Sequence, residues 1–329
     1  MALLLSRADV IKLLPMPKAI EVVEKAFSEL AQGTAEMPQR TVFIDPAVGG
    51  WIAYMPAYLK SGGALGVKAV TVYKNNPSKF NLPTTLATIL VQDQNTGQVL
   101  AAMDGGYLTA MRTGAVTGVA TKHLARKGAK VAGVIGTGVQ GRTQVLGMAA
   151  ARKFEAVLAY SIDPEDKKRT FADGIKRDTG LDIRWAKSVE EVVREADVVA
   201  LATTASRPIV EGTWWKGGAH INSIGSHAPG VRELDTATVV RAKVVCDQRA
   251  ACLAEAGDLQ IPLEEKKWSP DQIRCDLGDV INGKVKGRQS DEELTLFKSV
   301  GLAIQDISCA ALVYQQAKAQ GVGTEFAFS

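Results

Sequence analysis

Apolar positions near the start of the chain recur at helical spacing. In AIEVVEKAFSELAQG, Ile20, Val22, Val23, Phe27 and Leu30 fall on one face of a helix that stops near Gly33. Ahead of it, Ser6 is placed to cap a short helix from Arg7 to Leu14, and Pro15 and Pro17 punctuate the junction. From Arg40 the pattern changes to short runs rich in β-branched and aromatic residues: TVFID, WIAYMPA, ALGVKAVTVY, TTLATILVQD and QVLAAMD, divided by Gly, Pro and Asn turns. That alternation predicts an α+β unit built on an antiparallel sheet. A long helix over about Tyr107 to Arg126 leads out of it.

After Gly128, strands and helices alternate. VAGVI, AVLAYS, DIRW, VVALA, AHINSIG and AKVVC read as strands, with helices between them, through Arg169 and Phe171 and again near Val189 to Arg194. This order predicts a parallel sheet covered by helices. The remainder reads as charged linkers, two tryptophan-bearing loops and a final apolar helix from Gly301 to Ala319. With no strand left to pair with, that helix is expected to fold back on the first domain. The expected fold class is therefore α/β: a Rossmann-type parallel-sheet domain over residues 114–299, plus a discontinuous α+β domain formed by residues 1–113 and completed by 300–329.

The stretch that organises the chain is VAGVIGTGVQGRTQ. Five apolar residues, Val131 to Ile135, suit a strand buried on both faces and run directly into Gly136, Gly138 and Gly141. In a GxGxxG turn the first glycine allows the tight strand-to-helix turn, the second lets a pyrophosphate approach the backbone, and the third lets the helix pack on the strand. Peptide N–H groups at the helix start then face the phosphates. Val139 and Gln140 line the same turn.

Composition narrows the function classes. Hydrophobic residues make up 46% and charged residues 22% of 329 positions, the balance of a globular protein long enough for two domains. A net charge of +4 with no long basic block gives no electrostatic argument for nucleic acid. The opening MALLLSRADV has too short an apolar run for a signal peptide, and no run is long enough to cross a membrane, so the expected location is cytoplasmic. Cys246, Cys252, Cys275 and Cys309 form no CxxC pair, so neither a metal site nor a disulfide framework is expected.

The dinucleotide turn is joined to AAMDGGYLTAMRTGA, to GVKAV around Lys68, to LPTT at Leu82 to Thr85 and to FKSVGLAIQD. Together these blocks resemble the ornithine cyclodeaminase and mu-crystallin family over nearly the whole chain. The resemblance implies a homodimer, a substrate and dimerisation domain made from the N-terminal third and the last helix, an NAD(P) domain between them, and chemistry through an imine at an amino acid's α-carbon.

Lys68 lies in a nearly all-apolar strand, where an ammonium must be paired, lose its charge, or reach water at the strand end. The resemblance assigns it to the substrate, holding the carboxylate or delivering a proton to the imine nitrogen. Arg40 and Arg112 carry charges that do not titrate away and could grip a carboxylate through two N–H groups, or form surface ion pairs. The resemblance assigns both to substrate, Arg112 to cofactor as well, Thr84 to cofactor, and Ser299 and Val300 to the cap of the final helix beside the nicotinamide, with Val300 touching substrate. Thr203 ends the VVALA strand, where a hydroxyl could meet the cofactor, and Gly225, Ser226 and His227 leave the end of another predicted strand, where ligands sit in such sheets.

His227 stands where cyclodeaminases carry an aspartate. A neutral histidine accepts a proton but lacks the negative charge that steadies a cationic imine or diamine. Hydride transfer to a C=N bond next to a carboxylate therefore moves ahead of ornithine or lysine cyclodeamination, and both stand ahead of a non-catalytic dinucleotide-binding protein. The expected partner is a small amino-acid or imino-acid substrate, with no nucleic acid or membrane. At the end of the second strand Ser161 occupies the position where an acid usually takes the ribose hydroxyls, with Lys167, Lys168 and Arg169 close behind; Asp163 could serve after a small shift of register. The reading favours NADP over NAD.

Overall fold

A computed structural model describes every residue except His227 and Ser329. It divides into two compact units, residues 1–112 with 302–329, and residues 113–301.

In the first unit, strand β1 (Ala2–Leu5) leads into α1 (Arg7–Leu13) through Ser6. The Ser6 hydroxyl accepts from the Asp9 N–H at 3.3 Å while the Asp9 carboxylate accepts from the Ser6 N–H at 2.8 Å. Such a capping box stabilises a helix by about 1 kcal/mol. Helix α2 (Met16–Gln32) buries Ile20, Val23 and Phe27 and ends at Gly33 in the left-handed conformation, φ 74°. There follow β2 (Ala35–Glu36), β3 (Thr41–Asp45), β4 (Gly50–Leu59), β5 (Ala64–Tyr73), the short helix α3 (Asn76–Phe80), β6 (Thr85–Gln92), β7 (Val99–Asp104) and α4 (Gly105–Leu124), within which the first unit gives way to the second.

The second unit carries a wholly parallel eight-stranded sheet. Its elements are β8 (Val131–Ile135), α5 (Val139–Ala151), β9 (Ala156–Tyr160), α6 (Glu165–Thr179), β10 (Ile183–Trp185), α7 (Val189–Glu195), β11 (Val198–Leu201), β12 (His220–Ser223), α8 (Thr236–Arg241), β13 (Lys243–Cys246), α9 (Arg249–Glu255), α10 (Gly257–Glu264), β14 (Ile273–Asp276), α11 (Leu277–Ile281) and β15 (Thr295–Lys298). The strand order is β10-β9-β8-β11-β12-β15-β13-β14. Its first five strands give the doubly wound order that reverses direction between β8 and β11, the point where such sheets bind ligands.

The chain returns to the first unit as α12 (Ala303–Gln320) and β16 (Thr324–Phe326). The first unit's sheet runs β16-β1-β7-β6-β5-β4-β2, with β3 on β4. Helix α12 is buried nearly all round, packed on α2 and on β4, β5 and β6. It comes close at Gly66, where an added Cβ would lie 3.2 Å from Ile307 Cδ1 and 2.2 Å from the Leu90 carbonyl oxygen.

Four features correct the sequence reading. The first unit's sheet is mixed, because β1 runs parallel to β7. The final helix is followed by a strand, β16, which pairs antiparallel with β1. Strands β14 and β15 lie in what read as linker, and β15 sits centrally between β12 and β13. Helix α5 begins at Val139, four residues before the expected Thr143.

Candidate active site

Strand β5 alternates, and Ala64, Gly66, Lys68 and Val70 share its buried face. Lys68 therefore points inward with 1% exposure, and its Nζ lies 2.7 Å from Asp306 Oδ2 in the first turn of α12. The carboxylate's other oxygen accepts from Arg112 Nε at 2.9 Å, and Arg112 Nη1 donates to Gln305 Oε1 at 2.7 Å. One acid thus bridges two buried cations, at a helix start that favours negative charge. Burial pushes the Lys68 ammonium down to about 8, with the Arg112 and Arg40 charges acting in the same direction and Asp306 opposing them. Arg40, half-buried just before β3, is thus electrostatically part of this cluster. Among the described residues Gln305 Nε2, which is buried, has no hydrogen-bond partner, a donor left over beside Arg112. Thr84 is half-buried in the turn before β6, and its carbonyl accepts from the Tyr73 N–H at 2.8 Å.

In the second unit, the three glycines of the turn between β8 and α5 have distinct surroundings. Gly136 has φ 94°, and a Cβ there would lie 2.6 Å from the Ala202 carbonyl oxygen at the end of β11. A Cβ on Gly141 would lie 1.9 Å from the Gly136 carbonyl oxygen, so the helix and the turn touch there. A Cβ on Gly138 would meet nothing within 4 Å. Gly138 is the N-cap of α5 and makes no side-chain cap bond, and Val139 beside it is 68% exposed. Gln140 is half-buried, and its backbone carbonyl accepts from the Thr143 hydroxyl at 3.1 Å. A bare backbone cradle at an uncapped helix start, with its N–H groups facing outward, fits a pyrophosphate.

Ser161 does not stand alone at the end of β9. Its hydroxyl donates to Asp163 Oδ2 at 2.6 Å, and Thr137, inside the glycine turn, donates to the same oxygen at 2.7 Å. These bonds hold the Asp163 carboxyl below its ordinary range, with Lys167 and Lys168 adding to the effect. A carboxylate therefore stands beside the glycine turn where the sequence reading had put a hydroxyl.

Of the remaining expected contacts at the sheet's carboxyl edge, Thr203 and Gly225 are tied to one buried acid and Ser226 to a backbone carbonyl. The Thr203 hydroxyl donates to Glu233 Oε1 at 2.6 Å, the Gly225 N–H donates to Glu233 Oε2 at 2.9 Å, and the Ser226 hydroxyl donates to the Val231 carbonyl at 2.8 Å. Ser299 and Val300 do not cap the final helix, whose N-cap is Leu302. They follow β15, and the Ser299 hydroxyl and the Val300 and Gly301 N–H groups all donate to Asp247 Oδ2, because a buried carboxylate at the end of β13 needs donors and these supply them. His227 lies outside the described residues. His220 is buried on β12 between Thr295 and Asn222, and burial pushes it down to about 3, which keeps it neutral.

Sequence reasoning assigned no role to Asp306, Glu233, Asp247, Asp258 or Lys298. Asp306 carried a readable signal, an acid in the first turn of an otherwise apolar helix. The others sit in VREL, CDQ, GDL and FKS, short segments in which a single charge has no local pattern to mark it as buried.

The chain matches the ornithine cyclodeaminase/mu-crystallin family over residues 1–321. It is 37% identical over 327 residues to a Delta(1)-pyrroline-2-carboxylate reductase of Bacillus cereus, covering 99% of this chain and 100% of that one. Its fold superposes with a TM-score of 0.95, at 45% identity over 98% of this chain and 100% of the other, on Thermococcus litoralis Delta(1)-pyrroline-2-carboxylate reductase in complex with NADH and L-proline. An archaeal alanine dehydrogenase dimer with bound NAD gives a TM-score of 0.93 at 35% identity, over 100% of this chain and 99% of that one. The protein is a member of the ornithine cyclodeaminase/mu-crystallin family.

Proposed function

We propose that the protein is an NAD(P)H-dependent oxidoreductase that reduces a C=N bond next to a carboxylate, with a cyclic ketimine such as pyrroline-2-carboxylate as the substrate class. The observation that carries this reading is the buried arrangement of Lys68 and Arg112 on the single carboxylate of Asp306. Two cations on one acid leave net positive charge in a dry place, which suits an anionic substrate group. Arg112 and Arg40 hold the substrate carboxylate, and the unpartnered Gln305 Nε2 offers a further donor to it.

Reduced nicotinamide, when bound, supplies the hydride that the imine carbon accepts. Gly136, Gly138, Gly141 and the first turn of α5 hold its pyrophosphate. Lys68, poised near 8, gives its proton to the imine nitrogen, so that C=N becomes CH–NH. Asp306 keeps Lys68 charged until that transfer.

The nucleotide favoured is NAD. A carboxylate at Asp163 accepts from ribose hydroxyls and repels a 2′-phosphate. Replacing Asp163 by Ala is expected to improve NADPH relative to NADH by about tenfold in kcat/KM, since like charges set together cost of the order of 1 kcal/mol or more. An unchanged ratio contradicts this choice.

A second copy of the chain is the proposed partner. Strand β3 is exposed along its whole length, with Val42, Phe43 and Ile44 40%, 55% and 71% exposed, and Tyr54 beside them on β4. An apolar edge strand of this kind is a pairing surface that a monomer would avoid. The dimeric alanine dehydrogenase relative supports the same reading.

The function is tested by following loss of reduced-nicotinamide absorbance with NADH and NADPH, against a panel of cyclic imines and of 2-oxo acids with ammonia. Turnover with a cyclic imine supports the reading. Formation of proline from ornithine without net cofactor consumption supports a lyase instead.

A further inference from the structure

Three donors converge on the Glu233 carboxylate. Oε1 accepts from the Thr203 N–H at 2.8 Å and the Thr203 hydroxyl at 2.6 Å, and Oε2 accepts from the Gly225 N–H at 2.9 Å. Thr203 follows β11 and Gly225 follows β12, so one side chain ties together the carboxyl ends of two neighbouring strands. The fit is close: a Cβ on Gly225 would lie 2.3 Å from Glu233 Oε2. Glu233 is itself held from behind, because Asp258 Oδ1 accepts the Glu233 and Leu234 N–H groups at 2.8 and 3.0 Å. Asp258 Oδ2 in turn takes Lys298 Nζ at 3.0 Å and the Ser223 hydroxyl at 2.7 Å. All three charged groups are fully buried.

A buried acid in a connecting loop is costly unless its donors need it. These donors stand on the half of the sheet beyond the reversal point, which in a doubly wound sheet carries the second mononucleotide. Resting on the dinucleotide reading above, we infer that Glu233 is a positioning residue for the cofactor, fixing the Thr203 and Gly225 backbone against which the second mononucleotide seats. It touches no reacting atom and acts through those two residues.

Burial pushes the Glu233 carboxyl up to about 7. The Thr203 hydrogen bonds and the Lys298 charge oppose that rise, and the Asp258 charge adds to it. Protonation removes the negative charge to which all three donors point, and hydrogen bonds to a neutral carboxyl are weaker than to a carboxylate. The tie therefore slackens as pH falls through about 7, and cofactor affinity falls with it.

The test is calorimetric titration of NADH and NADPH into full-length wild type and Glu233→Gln on both sides of that pH. Wild type is expected to weaken several-fold on acidification, whereas Glu233→Gln, with an amide N–H opposing a backbone N–H, is about tenfold weaker and flat with pH. A Glu233→Gln variant that binds like wild type, or keeps the wild-type pH dependence, overturns the inference. A flat wild-type profile overturns it even where the variant fails to fold. Wild type that binds neither dinucleotide overturns the oxidoreductase reading as well, which separates the two failures.

Discussion

Lys68 sits where strand alternation leaves no choice of face. Its neighbours on that face, Gly66 and Val70, are buried, so the ammonium must meet something inside, and α12 brings Asp306 to it. The sequence made the predicament of Lys68 visible but not its resolution, because the partner lies 238 residues away. The proton-donor role sets a sign for pH. A donor works while protonated, so imine reduction at low substrate concentration should fall as pH rises through about 8. Asp306→Asn removes the charge that favours ammonium, so the falling limb should move to lower pH, read from kcat/KM profiles of the two proteins. A limb that stays in place means that another group gives the proton. The buried acids of the second unit were illegible for a related reason. Glu233, Asp247 and Asp258 lie in short polar segments whose exposure depends on which loops cover the sheet edge, and no local pattern encodes that.

At the scale of elements, the turn between β8 and α5 was the most legible part of the chain, because strand, glycine spacing and helix follow one another without a break from Val131 to Ala151. The structure separates what its glycines do. Gly141 has no room for a methyl group and Gly138 has open space. Gly138→Ala is therefore expected to keep the wild-type melting temperature yet lose about tenfold or more in dinucleotide affinity, as a methyl group replaces a phosphate approach. Gly141→Ala should lose both, as scanning calorimetry beside titration would show. Equal losses of stability in the two variants contradict the division of roles. Strands β14 and β15 escaped the sequence reading because each has only four residues and is flanked by charge, as in EELTLFKS. Four residues carry too little periodicity to outweigh such flanks, although TLFK is buried throughout.

At the scale of the molecule, a chain that returns to its first unit after a parallel sheet was expected from the order of elements, whereas the mixed sheet of that unit rests on the parallel pairing of β1 with β7, two strands about a hundred residues apart that no local pattern joins. The exposed apolar strand β3 predicts association. Ile44→Lys should convert a dimer to monomers in sedimentation velocity, and a wild-type protein that sediments as a monomer at micromolar concentration contradicts the pairing surface. Hydride delivery to an imine carbon beside a carboxylate is read out by mass spectrometry with reduced cofactor that carries deuterium at both nicotinamide C4 positions. Pyrroline-2-carboxylate should be converted to proline carrying one deuterium at the α-carbon. Proline formed without the label, or no proline from any cyclic imine with either cofactor, would contradict it.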